Sequence, residues 1–415
     1  MMRSIYLNAG PVVHFKNDGT MSGVNSEDLI YDAGKAIVVD SNVVERIDET
    51  TLIENEYDGN DDVSFFDLQG KAVVPGFIDT HTHLLWSGDR NHEIRMRIEG
   101  LSYAEISDRG GGIQHTTQST RQSSIEKLHK LGYVRLREAL RHGTTHMEIK
   151  SGYGLNTSTE LKLLNCGHQL SKISHLPSIE QTWLGAHSFP KEVSRSEYIE
   201  SLLAEQLPAV VEQGYTRSAD VFCEPGWFSI DESEQILKES RQLGLRLRIH
   251  IDEFCDGGGG ELASELGVDT ADHAYFTSLD ARMKMRESNV NTGCLPAAPY
   301  VLGMDLHDYS DLLEADNPFT LATDFNPNCQ FLSLPTIGSL AVQRSKLHPL
   351  LALQAITCNA AKISLQGTGS SEGRITDGGF ATFNILHSKH WESWCQSPGT
   401  SPIHSTVLRG EHIIH

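Results

Sequence analysis

From Pro75 to about Ala361, short apolar strands alternate with longer stretches of helical periodicity, and the pair recurs eight times. Such a repeat signals parallel βα construction. The candidate strands are Gly76 to His81, Thr144 to Ile149, Gln181 to Ala186, Ala219 to Cys223, Leu245 to Ile251, Thr270 to His273, Val290 to Leu295 and Phe319 to Thr323. Eight units are the number that closes a (β/α)8 TIM-type barrel, which makes this an α/β chain. Helical periodicity fills the intervals at Ser123 to His142, Ser158 to Ser171, Glu197 to Gln213, Ser229 to Leu243, Gly260 to Leu266 and Leu279 to Glu287, with a last helix over Pro349 to Ala361.

Both ends read differently. Short extended stretches (Ile5 to Leu7, Val12 to Phe15, Ala36 to Val39, Ala72 to Val74) are separated by Gly, Asp and Asn turns, and extended patterns return at Phe380 to Ile385, Thr406 to Leu408 and 411–414. The expected organisation is a small discontinuous β-sandwich from 1–74 and 375–415 around a barrel domain over 75–374. At 415 residues the chain is long enough for one large domain and a smaller one.

A formal charge of -21 repels phosphate backbones and anionic membrane surfaces, so neither nucleic acid nor membrane is an expected partner. No apolar run approaches the roughly 18 residues needed to cross a bilayer, and Met1-Met2-Arg3-Ser4-Ile5-Tyr6 meets Asn8 and Gly10 before any signal-like core, which predicts a cytoplasmic location. Seven scattered cysteines, none in a Cys-x-x-Cys pair, read as reduced thiols, mostly buried. The run Gly257 to Gly260 follows a strand but lacks the Lys-Ser/Thr of a phosphate loop.

The chemistry gathers at strand ends. His81-Thr82-His83 closes the first candidate strand, and side chains two apart share a face, so both imidazoles can reach one metal. Alone, such a pair can be a polar loop edge. His187, His250, His273 and Asp324 fall at the same end of other strands, where barrel active sites lie. The expected ligands of one catalytic divalent ion are His81, His83, His250 and Asp324, with a position left for water. In His250-Ile251-Asp252-Glu253, Glu253 is placed as general acid/base and Asp252 as structural. His273 either polarises a substrate carbonyl or completes a second metal site; polarisation is favoured, because the end of the fourth strand offers Cys223-Glu224 and no lysine to bridge two metals.

Val74-Pro75-Gly76-Phe77-Ile78-Asp79-Thr80-His81-Thr82-His83 resembles the opening signature of the amidohydrolase superfamily, metal-dependent barrels carrying a β-sandwich built from both chain ends. Ser87-Gly88-Asp89-Arg90, Gly110-Gly111-Gly112-Ile113, Glu148-Ile149-Lys150-Ser151-Gly152-Tyr153-Gly154-Leu155, Leu184-Gly185-Ala186-His187, Asp220-Val221-Phe222-Cys223-Glu224 and Thr323-Asp324-Phe325-Asn326-Pro327-Asn328 are similar, in order and spacing, to the imidazolonepropionase family. The resemblance implies hydrolysis of 4-imidazolone-5-propanoate to N-formimidoyl-L-glutamate in histidine degradation, one zinc or iron per subunit, a homodimer, and substrate contacts from Arg90, Tyr153, His187, Glu253, Asn326 and Asn328. An anionic small-molecule substrate in an acidic protein needs a local cation, and the guanidinium of Arg90 binds carboxylate through two aligned donors. Tyr103 adds a hydroxyl to the same carboxylate, while Tyr153 and His187 address ring atoms or the developing oxyanion. The expected reaction is attack of metal-activated water on the ring carbonyl, with Asp324 and Glu253 moving the proton to the departing nitrogen. Two positions depart from the family pattern: Cys329, a substrate-side position where relatives carry a small hydroxyl or alanine, and Thr382, where an Ala-Asp-Leu motif is usual.

Two other readings fit less well. A heterocycle deaminase on the same barrel would use His-x-x-Glu, but gives no reason for Arg90. An inactive scaffold barrel would have lost ligands that are all present here.

Overall fold

A computed structural model describes residues 3–16, 28–365 and 371–415. Met1-Met2, at the start of the segment read for a targeting signal, and 17–27 and 366–370, inside the two expected domains, lie outside the described residues.

Eight parallel strands stand in strict chain order: Phe77–Asp79, Thr144–Lys150, Ser178–Ala186, Ser218–Cys223, Arg246–Ile251, Thr270–His273, Asn291–Cys294 and Phe319–Leu321. Residues just past the first and last strands close the ring. Thr82 bridges Phe325 in parallel, Asp324 N–H donates to the His81 carbonyl at 3.1 Å, and His83 N–H donates to the Phe325 carbonyl at 2.8 Å. Each expected strand is present to within a few residues. The strand Ser218–Cys223 is buried at every position, as a parallel strand covered on both faces must be.

Helices pack outside this ring and start where polar caps satisfy their first N–H groups. Ser194 with Glu197, and Ser229 with Glu232, form reciprocal capping boxes; Ser124 and Ser278 cap with their hydroxyls alone. Two expected helices are interrupted. The stretch 197–213 carries a π turn at Leu202–Gln206, because Pro208 has no N–H to continue the ladder. The stretch 349–361 is two helices, Pro349–Ala355 and Cys358–Ser364. The backbone of Thr357 leaves the helical region (φ -129°, ψ -100°), which frees the Ile356 carbonyl to accept the N–H of Ile78 on the first barrel strand at 2.8 Å.

The chain ends form two sheets. Arg3–Ala9, Lys35–Asp40, Val43–Glu49 and Val63–Asp67 make one of four strands, and Val12–Val13, Ile30–Tyr31, Val73–Pro75, Phe383–Leu386, Ile403–Leu408 and Glu411–Ile414 make one of six. The N- and C-terminal parts are joined where Val73–Pro75 pairs antiparallel with Phe383–Leu386. Tyr6, Ile37, Val39, Phe383, Ile385 and Val407 fill the space between the sheets. The N-terminal region is not purely β: Thr50–Tyr57 is a helix that buries Ile53 and Tyr57 against one sheet. The seven cysteines are free, six of them buried and Cys255 exposed. Among the described residues no helix is long and apolar enough to cross a membrane.

Candidate metal centre and active site

A cavity opens at the C-terminal ends of the barrel strands. Its walls include His83, His187, His250, His273, Glu253, Asp324, Arg90, Tyr103, Tyr153, Asn326, Asn328 and Cys329, so twelve of the thirteen residues singled out from sequence meet in one place. The thirteenth, His81, is fully buried behind them.

The histidines sit where they do because the strands end there. His250 and His273 are the penultimate and last residues of their strands; His81 and His83 follow the first strand, and Asp324 follows the last. Asp252, His273, Ala274 and Asp324 all take positive φ, between 48° and 67°. Non-glycine residues hold that conformation only where surrounding contacts impose it, and here the bends coincide with the cavity rim. Asp252 is itself one such contact: its carboxylate accepts N–H bonds from Gly257, Gly259 and Gly260 and the Thr277 hydroxyl, which folds the glycine-rich turn onto the strand.

Ligand atoms of His81, His250 and His273 lie within 4.8 Å of one another, as do those of His81, His83 and Asp324. His81 Nδ1 is bound to Asp272 Oδ2 at 2.6 Å and His250 Nδ1 to Asp220 Oδ1 at 3.0 Å. Both bonds hold the ring with Nε2 free, and among the described residues neither Nε2 finds a hydrogen-bond partner, nor does Nδ1 of His83 or of His273. Buried nitrogens are normally satisfied; the free Nε2 atoms of His81 and His250, with His83 and the Asp324 carboxylate beside them, fit a metal ion that takes lone pairs. Asp324 Oδ1 stands 3.7 Å from His81 Nε2 and 3.6 Å from His83 Nε2, too far for hydrogen bonds. Burial holds His81, His83 and His273 well below the usual histidine pKa, so the rings are neutral, as ligands must be. The donor set suits one divalent ion.

Beneath the histidines lies a layer to which the sequence reading gave no role. Lys150, at the end of the second strand, is fully buried, with Nζ 2.8 Å from Asp220, 3.0 Å from Glu148 and 3.8 Å from Asp272. Burial works against its charge, but these carboxylates outweigh it and keep the ammonium protonated. Carboxylates inside otherwise apolar strands were the available signal for this layer.

On the substrate side, Glu253 is enclosed. Burial, then Asp324 and Glu224, push its pKa well above the usual carboxylate range, and its backbone N–H donates to Glu224. Its Oε2 is 3.7 Å from His273 Nε2. His187 donates Nδ1–H to the Gly152 carbonyl at 2.9 Å and stacks on His83. Across the cavity Arg90 is 3% exposed; Glu93 accepts its Nε–H at 2.8 Å, and Nη2 is buried with no partner among the described residues. The Arg90 guanidinium lies 5.4 Å from the Tyr103 ring. Tyr103 opens a capped helix, Tyr103–Asp108, that the sequence reading did not anticipate. The Asn326 side chain is committed within its own loop, accepting the N–H groups of Asn328 and Cys329 and donating to the Asp324 carbonyl, while Asn328 accepts from Arg97.

Solved structures share this architecture. Atrazine chlorohydrolase from Arthrobacter aurescens TC1, complexed with zinc, superposes with a TM-score of 0.71 over 99% of this chain and 95% of that one, at 13% identity. The A. niger ochratoxinase gives 0.67 at 16% identity, over 99% and 95%. These likenesses show the fold, a barrel with sheets joined from both chain ends, and in this chain a buried His/Asp cluster stands at the strand ends. No family model matches the chain. Its curated relatives are more specific: the imidazolonepropionase of Symbiobacterium thermophilum is 35% identical over 99% of this chain and 97% of that protein, and that of Caldanaerobacter subterraneus is 39% identical over 84% of each. The chain belongs to the imidazolonepropionase family.

Proposed function

We propose that this chain opens the ring of 4-imidazolone-5-propanoate by hydrolysis of its cyclic amide, giving N-formimidoyl-L-glutamate in histidine degradation. One observation carries the assignment: buried histidine nitrogens and the buried Arg90 Nη2, all without hydrogen-bond partners among the described residues, stand at one cavity or directly behind it. His81, His83, His250 and Asp324 would hold one divalent ion, zinc or iron. When bound, such an ion supplies Lewis-acid charge that lowers the pKa of a water and stabilises negative charge on the carbonyl oxygen.

Every other part of the work falls to side chains. Arg90 anchors the propanoate through its free edge, with the Tyr103 hydroxyl beside it, which fixes the ring against the histidines. Asp324 and Glu253 receive the water proton as the new C–O bond forms at the ring carbonyl, and Glu253 delivers a proton to the ring nitrogen as the C–N bond breaks. A carboxyl whose pKa is raised by burial suits that donor role. His273 donates to the carbonyl oxygen, while Tyr153 and the neutral His187 border the ring and Cys329 closes the wall beside it. Asn326 and Asn328 act by shaping the Asp324 loop.

A cytoplasmic homodimer, acting on a small anionic substrate without nucleic acid or membrane, and a division into 1–74 with 375–415 against 75–374, complete the proposal. The test is competition between imidazolone propanoate and uncharged amino-heterocycles. Ring opening of the first alone supports it; ammonia release from the second assigns a deaminase instead.

A further inference from the structure

The role of Lys150 is open, because the side chain is sealed beneath the cavity and touches no space that substrate can occupy. Its head group nevertheless meets both carboxylates that orient histidines: Asp220 at 2.8 Å, which holds His250, and Asp272 at 3.8 Å, which holds His81. These two histidines come from strands five and one, and their carboxylates from strands four and six. One cation therefore ties together four strands of the barrel. Asp272 is pinned further by the Thr270 hydroxyl at 2.6 Å, and Glu148, the third partner of Lys150, receives the Thr82 N–H at 3.3 Å between the two histidines of the His-x-His pair.

We infer that Lys150 is a positioning residue for the metal centre: through Asp220 and Asp272 it fixes the His250 and His81 rings with Nε2 turned to the ion. The inference rests on the metal-site reading above and adds a residue outside the ligand set. Partners of ligating histidines orient the ring and set its tautomer, and their loss typically weakens metal binding by about 10- to 100-fold. A lysine shared by two such partners couples both rings, so its removal loosens two ligands at once.

The test uses the full chain stripped of metal and titrated with Co²⁺, read by the visible absorption of cobalt and by competition with a chelator. In Lys150→Met and in Asp272→Asn, binding is expected to weaken by about 10- to 100-fold, the cobalt spectrum to change, and melting to stay cooperative. The double variant should lose less than the product of the two single effects, because both substitutions break one chain of contacts. Should Lys150→Met alone fail to fold, the double variant, which removes one charge of each sign, takes its place and is expected to bind at least about tenfold more weakly than wild type. Wild-type affinity and spectrum in a folded Lys150 variant overturn the inference. Loss of cooperative melting in every variant also overturns it, by assigning the network to barrel stability. Wild-type protein that binds no cobalt sinks the metal-site reading itself.

Discussion

Replacing Arg90 with methionine removes the cation proposed to hold the substrate carboxylate while keeping much of the side chain's bulk. The geometry sets the size of the effect. Nε is already occupied by Glu93 at 2.8 Å, so the substrate meets the terminal nitrogens, of which Nη2 is buried and without a partner among the described residues. Two charge-assisted hydrogen bonds at roughly 1.5–3 kcal/mol each give a loss of about 3–6 kcal/mol. Since each 1.4 kcal/mol is about a factor of ten, kcat/KM should fall by about 10² to 10⁴, chiefly through KM. Methionine also strands Glu93, which is fully buried, so a second substrate is needed to separate recognition from damage. The assay follows ring absorbance for the propanoate and for its uncharged methyl ester. Wild type should prefer the propanoate by about the same 10² to 10⁴, and Arg90→Met should handle the two about equally, leaving the ester rate within about threefold of wild type. An equal loss on both substrates would refute the assignment, because the arginine would then be a structural partner of Glu93.

Glu253→Gln keeps the shape and removes the titrating proton; kcat should fall by about 10² to 10⁴ at full metal content, and a smaller fall would take Glu253 out of proton transfer. Gly293→Ala places a methyl 2.0 Å from Asp272 Oδ1, which must push that carboxylate off His81; metal content and melting temperature should drop together, and an unchanged metal content would show that Asp272 is dispensable. His146, remote from the cavity, is buried and its pKa is lowered from 6.5 to about 3, chiefly by desolvation. The unfolded chain therefore binds a proton that the folded chain refuses, and stability falls as pH drops from about 6.5 toward 3, by up to about 1.4 kcal/mol per pH unit for this group. In denaturant melts between pH 6 and 4, His146→Phe should have a shallower slope by up to one proton; parallel slopes would contradict the burial argument.

The barrel was legible because its strands are apolar runs of the right length and its helices are long and amphipathic, as at Ile125–Arg141. The candidate ligand positions stand out in the sequence because polar residues at strand ends break that apolar pattern. Less visible was everything that depends on contacts between distant segments. Nothing local marks Lys150 as buried rather than solvated; its environment is made by Asp220 and Asp272, some 70 and 120 residues away. The short helices Glu93–Ile98 and Tyr103–Asp108, which line the approach to Arg90, fall below the length at which periodicity is readable. The break at Thr357 was hidden because its cause is a barrel strand that needs the Ile356 carbonyl. Asn326 lines the cavity, but the sequence does not show that its amide is also used at both ends by the loop that carries Asp324.

The central claim is that these residues form a metal-dependent ring-opening hydrolase, and freshly generated 4-imidazolone-5-propanoate tests it most directly. Ring absorbance should decay with purified protein carrying about one divalent ion per chain, the product should be N-formimidoyl-L-glutamate, and His250→Ala should lose both metal and turnover. A fully metallated wild-type protein that leaves the ring intact would contradict the claim.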